Sequence, residues 1–159
     1  MQQNDLTMKQ DDNTFSVARA EDSPGFLLWQ VTTLWQREIK KALAPYNLTH
    51  SQFVLLASTH WLLLHGSEVT QIVLSQHTGI DPMTTSTVLR NLQSKGLIRR
   101  REHDTDTRAK SVDITAEGRE LAKKAVVAVE NFDRAFFAVH RGGLPAFNES
   151  LRALLKLPV

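Results

Sequence analysis

The residues able to do chemistry in this 159-residue chain are few, and most lack the spacing that chemistry needs. His50, His60, His65, His77, His103 and His140 include no His-x-x-x-His pair, and there is no cysteine. Thiolate zinc sites, disulfides and thiol-based peroxide sensing are thereby excluded, and nothing in the pattern points to a metal. Asp104 and Asp106 are acids close in sequence. They stand among arginines in a polar turn, which suits structural ion pairing better than general acid–base work. There is no Gly-rich phosphate loop and no Gly-x-Ser-x-Gly elbow, so the sequence argues against an enzyme.

What stands out is the placing of positive charge. The whole chain carries only +2, yet residues 1–23 sum to −3 and residues 82–110 to +4. From Pro82 to Arg101 there is no acidic residue at all. Taken alone, a charge run is as readily a solvated face. A basic, acid-free segment in a near-neutral protein points instead to an anionic partner. The first twenty residues are polar, with no apolar core of a signal peptide, and apolar runs such as Trp61 to Leu64 are far too short to span a bilayer. With no cysteine, the expected compartment is the cytoplasm.

The elements that must position this segment can be read from caps and periodicity. Residues 1–22 read as a disordered tail. Ser23-Pro24 starts a helix bearing Leu27, Leu28, Val31, Leu34, Trp35, Ile39 and Ala42 on one broad face, and Pro45 ends it. Thr49 and Gln52 fit a capping box for a helix reaching His65. A short helix from about Val69 to His77, a turn at Thr78-Gly79-Ile80, and a helix opened by Asp81-Pro82 and closed by Gly96 make a helix-turn-helix pattern. Two strand-like pieces, Leu97 to His103 and Lys110 to Ile114, flank a polar turn and form a ribbon, or wing. Thr115 caps a long helix, roughly 40 Å if it reaches His140, with Leu121, Ala125, Ala128, Val129, Phe132, Phe136 and Val139 on one stripe. Gly142-Gly143 breaks it before a last amphipathic helix with Phe147, Leu151, Leu154 and Leu155. The expected fold is mainly α with a small β wing. Its parts are a dimerisation helix at 23–46, a winged helix-turn-helix at 47–114, and two helices at 115–159 that complete the dimerisation region.

At 100° per residue, the helix after Asp81 turns Thr85, Val88, Leu89, Leu92 and Gly96 to the core. Met83, Ser86, Thr87, Arg90 and Ser94 fall opposite, with Thr84 and Lys95 at the two ends of the helix. Short polar side chains and one arginine let a helix lie deep in a major groove. In the wing, Arg99, Arg100 and Arg101 alternate along a strand and cannot all point one way, so Arg99 and Arg101 are taken as the outward pair. Lys110 continues the basic surface on the second strand, and Arg108 near the ribbon tip suits a narrow minor groove. Asp106 makes sense as a partner that orients a neighbouring arginine.

The run Leu97-Ile-Arg-Arg, then Asp106-Thr-Arg108, then Val112-Asp-Ile-Thr-Ala-Glu-Gly118 resembles the wing signature of the multiple-antibiotic-resistance regulator (MarR) family. Leu48-Thr-His-Ser-Gln-Phe53 and Lys95-Gly-Leu-Ile98 match its pattern as well, and the resemblance covers about residues 24–157. It implies a homodimer paired through its terminal helices and bound to double-stranded DNA. Arg108 would enter the minor groove with Asp106 orienting it, while Ser86, Thr87 and Arg90 would face the major groove. Position 87 is often basic in this family and is Thr here, so no base preference carries over.

The resemblance also implies a small aromatic or phenolic effector, held between the dimer region and the DNA-binding lobe. Trp29, Arg37, His60, Trp61 and His65 are the residues this points to. The same tryptophans read as packing residues, and the same histidines as solvated or hydrogen-bonded ones. A winged helix used for protein contacts is the rival within the fold, and an apolar wing would mark it.

Overall fold

The computed structural model describes residues 14–102, 110–139 and 142–156, with the backbone alone at Glu102 and Lys110. Its elements are α1 (Pro24–Leu43), α2 (His50–Leu64), α3 (Gln71–Thr78), α4 (Pro82–Ser94), β1 (Ile98–Glu102), β2 (Lys110–Ile114), α5 (Ala116–Phe137) and α6 (Gly143–Leu155). The chain divides into two compact units, Met1–Trp35 and Gln36–Val159. In the first, a 3-10 turn at Ala20–Asp22 leads into α1, where the Ser23 carbonyl takes the Leu27 amide at 3.0 Å.

In the second unit the helix starts follow the caps. Thr49 and Gln52 complete both arms of the capping box, Gln52 N to Thr49 Oγ1 at 3.2 Å and Thr49 N to Gln52 Oε1 at 3.1 Å. Asp81 accepts the Thr84 amide at 2.9 Å, and the bonds from Thr84 hold its carboxyl below the usual carboxylate range. The negative charge therefore stays at the N-terminus of α4, where the helix dipole favours it. Gly79 turns α3 into α4 with φ of 71°, a left-handed conformation that suits glycine.

Leu55, Leu56, Leu74, Leu89 and Leu92 are wholly buried, drawn from α2, α3 and α4, with Ile39 and Leu43 of α1 and Ala125 of α5 equally dry. The buried hydroxyls have partners: Thr59 donates to the Leu55 carbonyl at 2.7 Å and Thr85 to Ile80 at 3.2 Å.

β1 and β2 pair antiparallel with Ile98 opposite Ile114, Arg99 opposite Asp113, Arg100 opposite Val112 and Arg101 opposite Ser111. A third segment joins them. Val112 N donates to the Val69 carbonyl at 2.7 Å, and Thr70 bridges to Ser111. This pairing keeps Val69 extended, so α3 starts at Gln71 rather than near Val69, and Thr70 is its cap, taking the Val73 amide at 3.2 Å.

The start of α5 is locked to the end of the helix-turn-helix. Thr115 Oγ1 accepts the Gly118 amide at 2.9 Å and lies 2.8 and 3.1 Å from the carbonyls of Gly96 and Leu97. Gly118 packs so close to Leu97 that a Cβ there would meet its carbonyl oxygen at 2.0 Å. α5 has 22 residues, about 33 Å, and stops short of the expected His140. Ala122, Ala125 and Val129 are buried along it, Leu121, Ala128, Phe132 and Phe136 are half-buried, and Val139 lies past its end, exposed.

Candidate nucleic-acid interface

Residues Thr85, Val88, Leu89 and Leu92 anchor α4 in the core, which turns its other face outward. Met83, Thr84, Thr87, Arg90 and Ser94 are exposed there, and Ser86 is half-buried. Arg90 donates to Thr87 Oγ1 at 3.2 Å, so the guanidinium lies along the helix surface. Ser94 spends its hydroxyl on the Asn91 carbonyl at 2.9 Å. The exposed Lys95 donates from its ammonium to the Asn47 carbonyl at 2.6 Å and to Gln52 Oε1 at 3.2 Å, tying the end of α4 to the cap of α2.

The strand alternation sorts the three wing arginines. Arg99 and Arg101 are exposed on one face, while Arg100 lies on the other, half-buried, and donates from Nη2 to Gln71 Oε1 at 2.9 Å. All three arginines border a shallow depression of about 540 Å³ that Gln93 and Thr115 also line. The side chain of Lys110, and Asp106 and Arg108 entirely, lie outside the described residues.

Two of the residues expected at an effector site, Trp61 and His65, lie together at the end of α2. Trp61 alone of them lines a recess of about 510 Å³, together with Phe53, Ala57 and Ser58 of α2, His77 of α3, and Val126 and Glu130 of α5. His65 packs its ring against Trp61, centroids 4.0 Å apart, and Nδ1 donates to the Trp61 carbonyl at 2.7 Å, so its role is to close α2. Burial lowers the His60 pKa, and the cations Arg119 and Lys123 push it the same way. His60 therefore faces the start of α5. Arg37 is exposed and pairs with Glu38 at 3.1 Å. Trp29, in the first unit, is exposed on α1. Phe53, His77 and Glu130 had no signal in the sequence, because three separate helices bring them together.

A helix with a dry anchored face and an acid-free polar outer face, followed by a two-stranded basic ribbon, defines a winged helix-turn-helix. Residues 44–131 match the family described as ArnR1-like, winged-helix domain. The uncharacterised HTH-type transcriptional regulator YdcH of Bacillus subtilis is 46% identical over 116 residues, 73% of this chain and 79% of that protein. The HTH-type transcriptional repressor Rv2887 of Mycobacterium tuberculosis is 33% identical over 139 residues, 87% of this chain and 96% of the other. A solved MarR-family transcriptional regulator from Rhodococcus sp. RHA1 superposes with a TM-score of 0.71 at 25% identity, covering 87% of this chain and 94% of its own. The chain belongs to the MarR family of winged helix-turn-helix, DNA-binding transcriptional regulators. Among its described residues, no helix is long and apolar enough to cross a membrane.

Proposed function

We propose that this regulator is a ligand-responsive repressor that acts as a homodimer on a pseudo-palindromic operator in the cytoplasm, with no enzymatic activity. The observation that carries the reading is the outer face of α4, where Met83, Thr87 and Arg90 are exposed on a helix capped by Asp81 and rooted by Leu89 and Leu92. A two-fold dimer sets two such helices about 34 Å apart, one turn of DNA, so half-sites should recur at that spacing. Ser86, Thr87 and Arg90 read the major groove. Arg108 enters the minor groove with Asp106 orienting it, and Arg99, Arg101 and Lys110 hold phosphates. Repression follows if a bound dimer blocks polymerase.

The recess on α2 is the candidate effector site. Trp61 and Phe53 offer aromatic faces, and His77 and Glu130 supply the polar groups. Its lining holds a carboxylate and neither lysine nor arginine, so a neutral phenol donating to Glu130 fits better than a phenolate. Ligand binding there would change the spacing of the two DNA-reading lobes and release the operator.

The test is a titration of DNA from upstream of the chain's own gene at several salt concentrations, wild type against Arg108→Ala. If about 6–10 phosphates are contacted, affinity should fall by orders of magnitude between low and moderate salt. The variant should bind at least tenfold more weakly. Absence of binding at low salt, or a footprint without two-fold symmetry, would overturn the reading.

A further inference from the structure

Arg100 differs from its two neighbours in where it points and in what it holds. It sits on the inner face of the wing, opposite Val112, and its Nη2 donates to Gln71 Oε1 at 2.9 Å. Gln71 is the first residue of α3, and its own Nε2 donates to the Pro82 carbonyl at 3.3 Å. Pro82 is the first residue of α4. One guanidinium and one amide therefore join the wing, the first helix of the motif and the start of the recognition helix in a single chain of hydrogen bonds. The backbone reinforces the same junction through the Val112 to Val69 bond and the Thr70–Ser111 bridge.

The guanidinium is held there against a cost. Arg100 Nε is buried with no hydrogen-bond partner among the described residues, and a dry, unpaired donor opposes folding. A charge facing solvent, as Arg99 and Arg101 do, would carry no such penalty. The geometry thus fits a side chain used for its reach to Gln71 rather than for its charge.

We infer that Arg100 and Gln71 are positioning residues that fix the angle between the strands of the wing and α4, so that β1, β2 and the major-groove helix meet DNA as one rigid body. The inference rests on the DNA-reading roles proposed above for α4 and Arg108. If the wing floated free of α4, binding would order it at the moment of contact and affinity would drop accordingly. Gln71 carries no charge, so removing it should weaken binding without changing the number of phosphates neutralised.

The experiment measures operator affinity and its salt dependence for Gln71→Ala, Arg100→Ala, the double variant, and each combined with Arg108→Ala, with thermal melts to confirm folding. Gln71→Ala should weaken binding about tenfold with an unchanged salt slope, and adding Arg100→Ala should cost little more, as expected of two residues in one network. Arg108→Ala should cost less in the Gln71→Ala background than in wild type, because a wing already misplaced has less to lose. Gln71→Met keeps the length of the side chain, adds no charge, and loses both the acceptor for Arg100 and the donor to Pro82. It should weaken binding as well, with an unchanged salt slope, and it serves where Gln71→Ala fails to fold. Additive losses, or an Arg100→Ala slope reduced by about one while that of Gln71→Ala is not, would make Arg100 a phosphate contact and overturn the inference. An undiminished Arg108→Ala effect without Gln71 would overturn it too. Failure of wild type itself to bind DNA would show instead that the underlying functional reading is at fault.

Discussion

The leucines at the centre of the winged lobe and those on the outer parts of the terminal helices are treated in opposite ways. In the lobe, Leu55, Leu74, Leu89 and Leu92 have no exposed surface. On the first half of α1, Leu28 is 57% exposed and Trp29 69%, and on α6 Leu154 is 58% and Leu155 85% exposed. Burial of a leucine side chain is worth about 1.5–3 kcal/mol, so a row of bare ones is a surface that lacks its cover. The core of the lobe is closed within one chain, completed by Ile39 and Leu43 of α1 and Ala125 of α5, whereas the first half of α1 and α6 carry apolar residues that one chain does not cover. A second copy of the chain is the cover that the proposed function calls for.

The sharpest way to break this contrast is to charge the bare surface. Leu28→Glu combined with Leu155→Glu should give a monomer by sedimentation while leaving the lobe folded by circular dichroism. Operator affinity should then fall by about 10²–10⁴-fold, the usual worth of a second linked contact. A variant that stays dimeric would show that the exposed leucines do not form the interface.

Two glycines sharpen the same contrast at smaller scale. In the lobe, Gly118 abuts the Leu97 carbonyl, whereas Gly25 on α1 would have nothing within 4 Å of an added Cβ. Gly118→Ala should destabilise the protein by about 1–3 kcal/mol through overpacking against backbone, and it should loosen the junction of α4 with α5. Gly25→Ala should be neutral or stabilise by about 0.4–1 kcal/mol, because only chain entropy changes. Chemical denaturation reads both. Equal effects at the two positions would remove the distinction between a packed lobe and an open helix.

What could be read from sequence follows how local its cause is. The caps Thr49, Asp81 and Thr115 and the stops at Gly79 and Gly96 act over three or four residues, so the helices they bound were legible to within a few positions. So was the inward face of α4, where Thr85, Val88, Leu89 and Leu92 are all buried as the 100° projection expects. The start of α3 was misplaced because Val69 and Thr70 are claimed by strand β2, some forty residues further along the chain. The wing arginines could be divided by strand alternation, but the tie from Arg100 to Gln71 could not, as nothing local links them. Lys95 shows the same limit. Nothing local foretells that its ammonium donates to Asn47 and Gln52, which lie more than forty residues earlier in the chain. The effector recess was least legible, because Phe53, His77 and Glu130 meet only once three helices pack.

The smallest effect expected comes from α2, which serves the lobe, and it is a matter of acid lability. Burial lowers the pKa of both His50 and His60; Asp133 opposes the shift at His50, and Arg119 and Lys123 add to it at His60. The folded lobe therefore holds both imidazoles neutral at a pH where the unfolded chain protonates them. Above the ordinary imidazole value, about 6.5, neither residue makes stability depend on pH. As pH falls through that value the unfolded state gains protons first, so stability drops until each folded pKa is reached. Replacing both residues with glutamine should flatten this drop below about pH 6.5, the ordinary imidazole value. The half-buried Glu38 on α1, held below the usual carboxylate range by Lys41 and Arg37, acts in a different window: its contribution is present above the ordinary glutamate value and is lost only in stronger acid. Denaturant titrations across that pH series separate the two. If the double glutamine variant loses stability on mild acidification as steeply as wild type, the histidines of α2 are not the groups that make the lobe sensitive to acid.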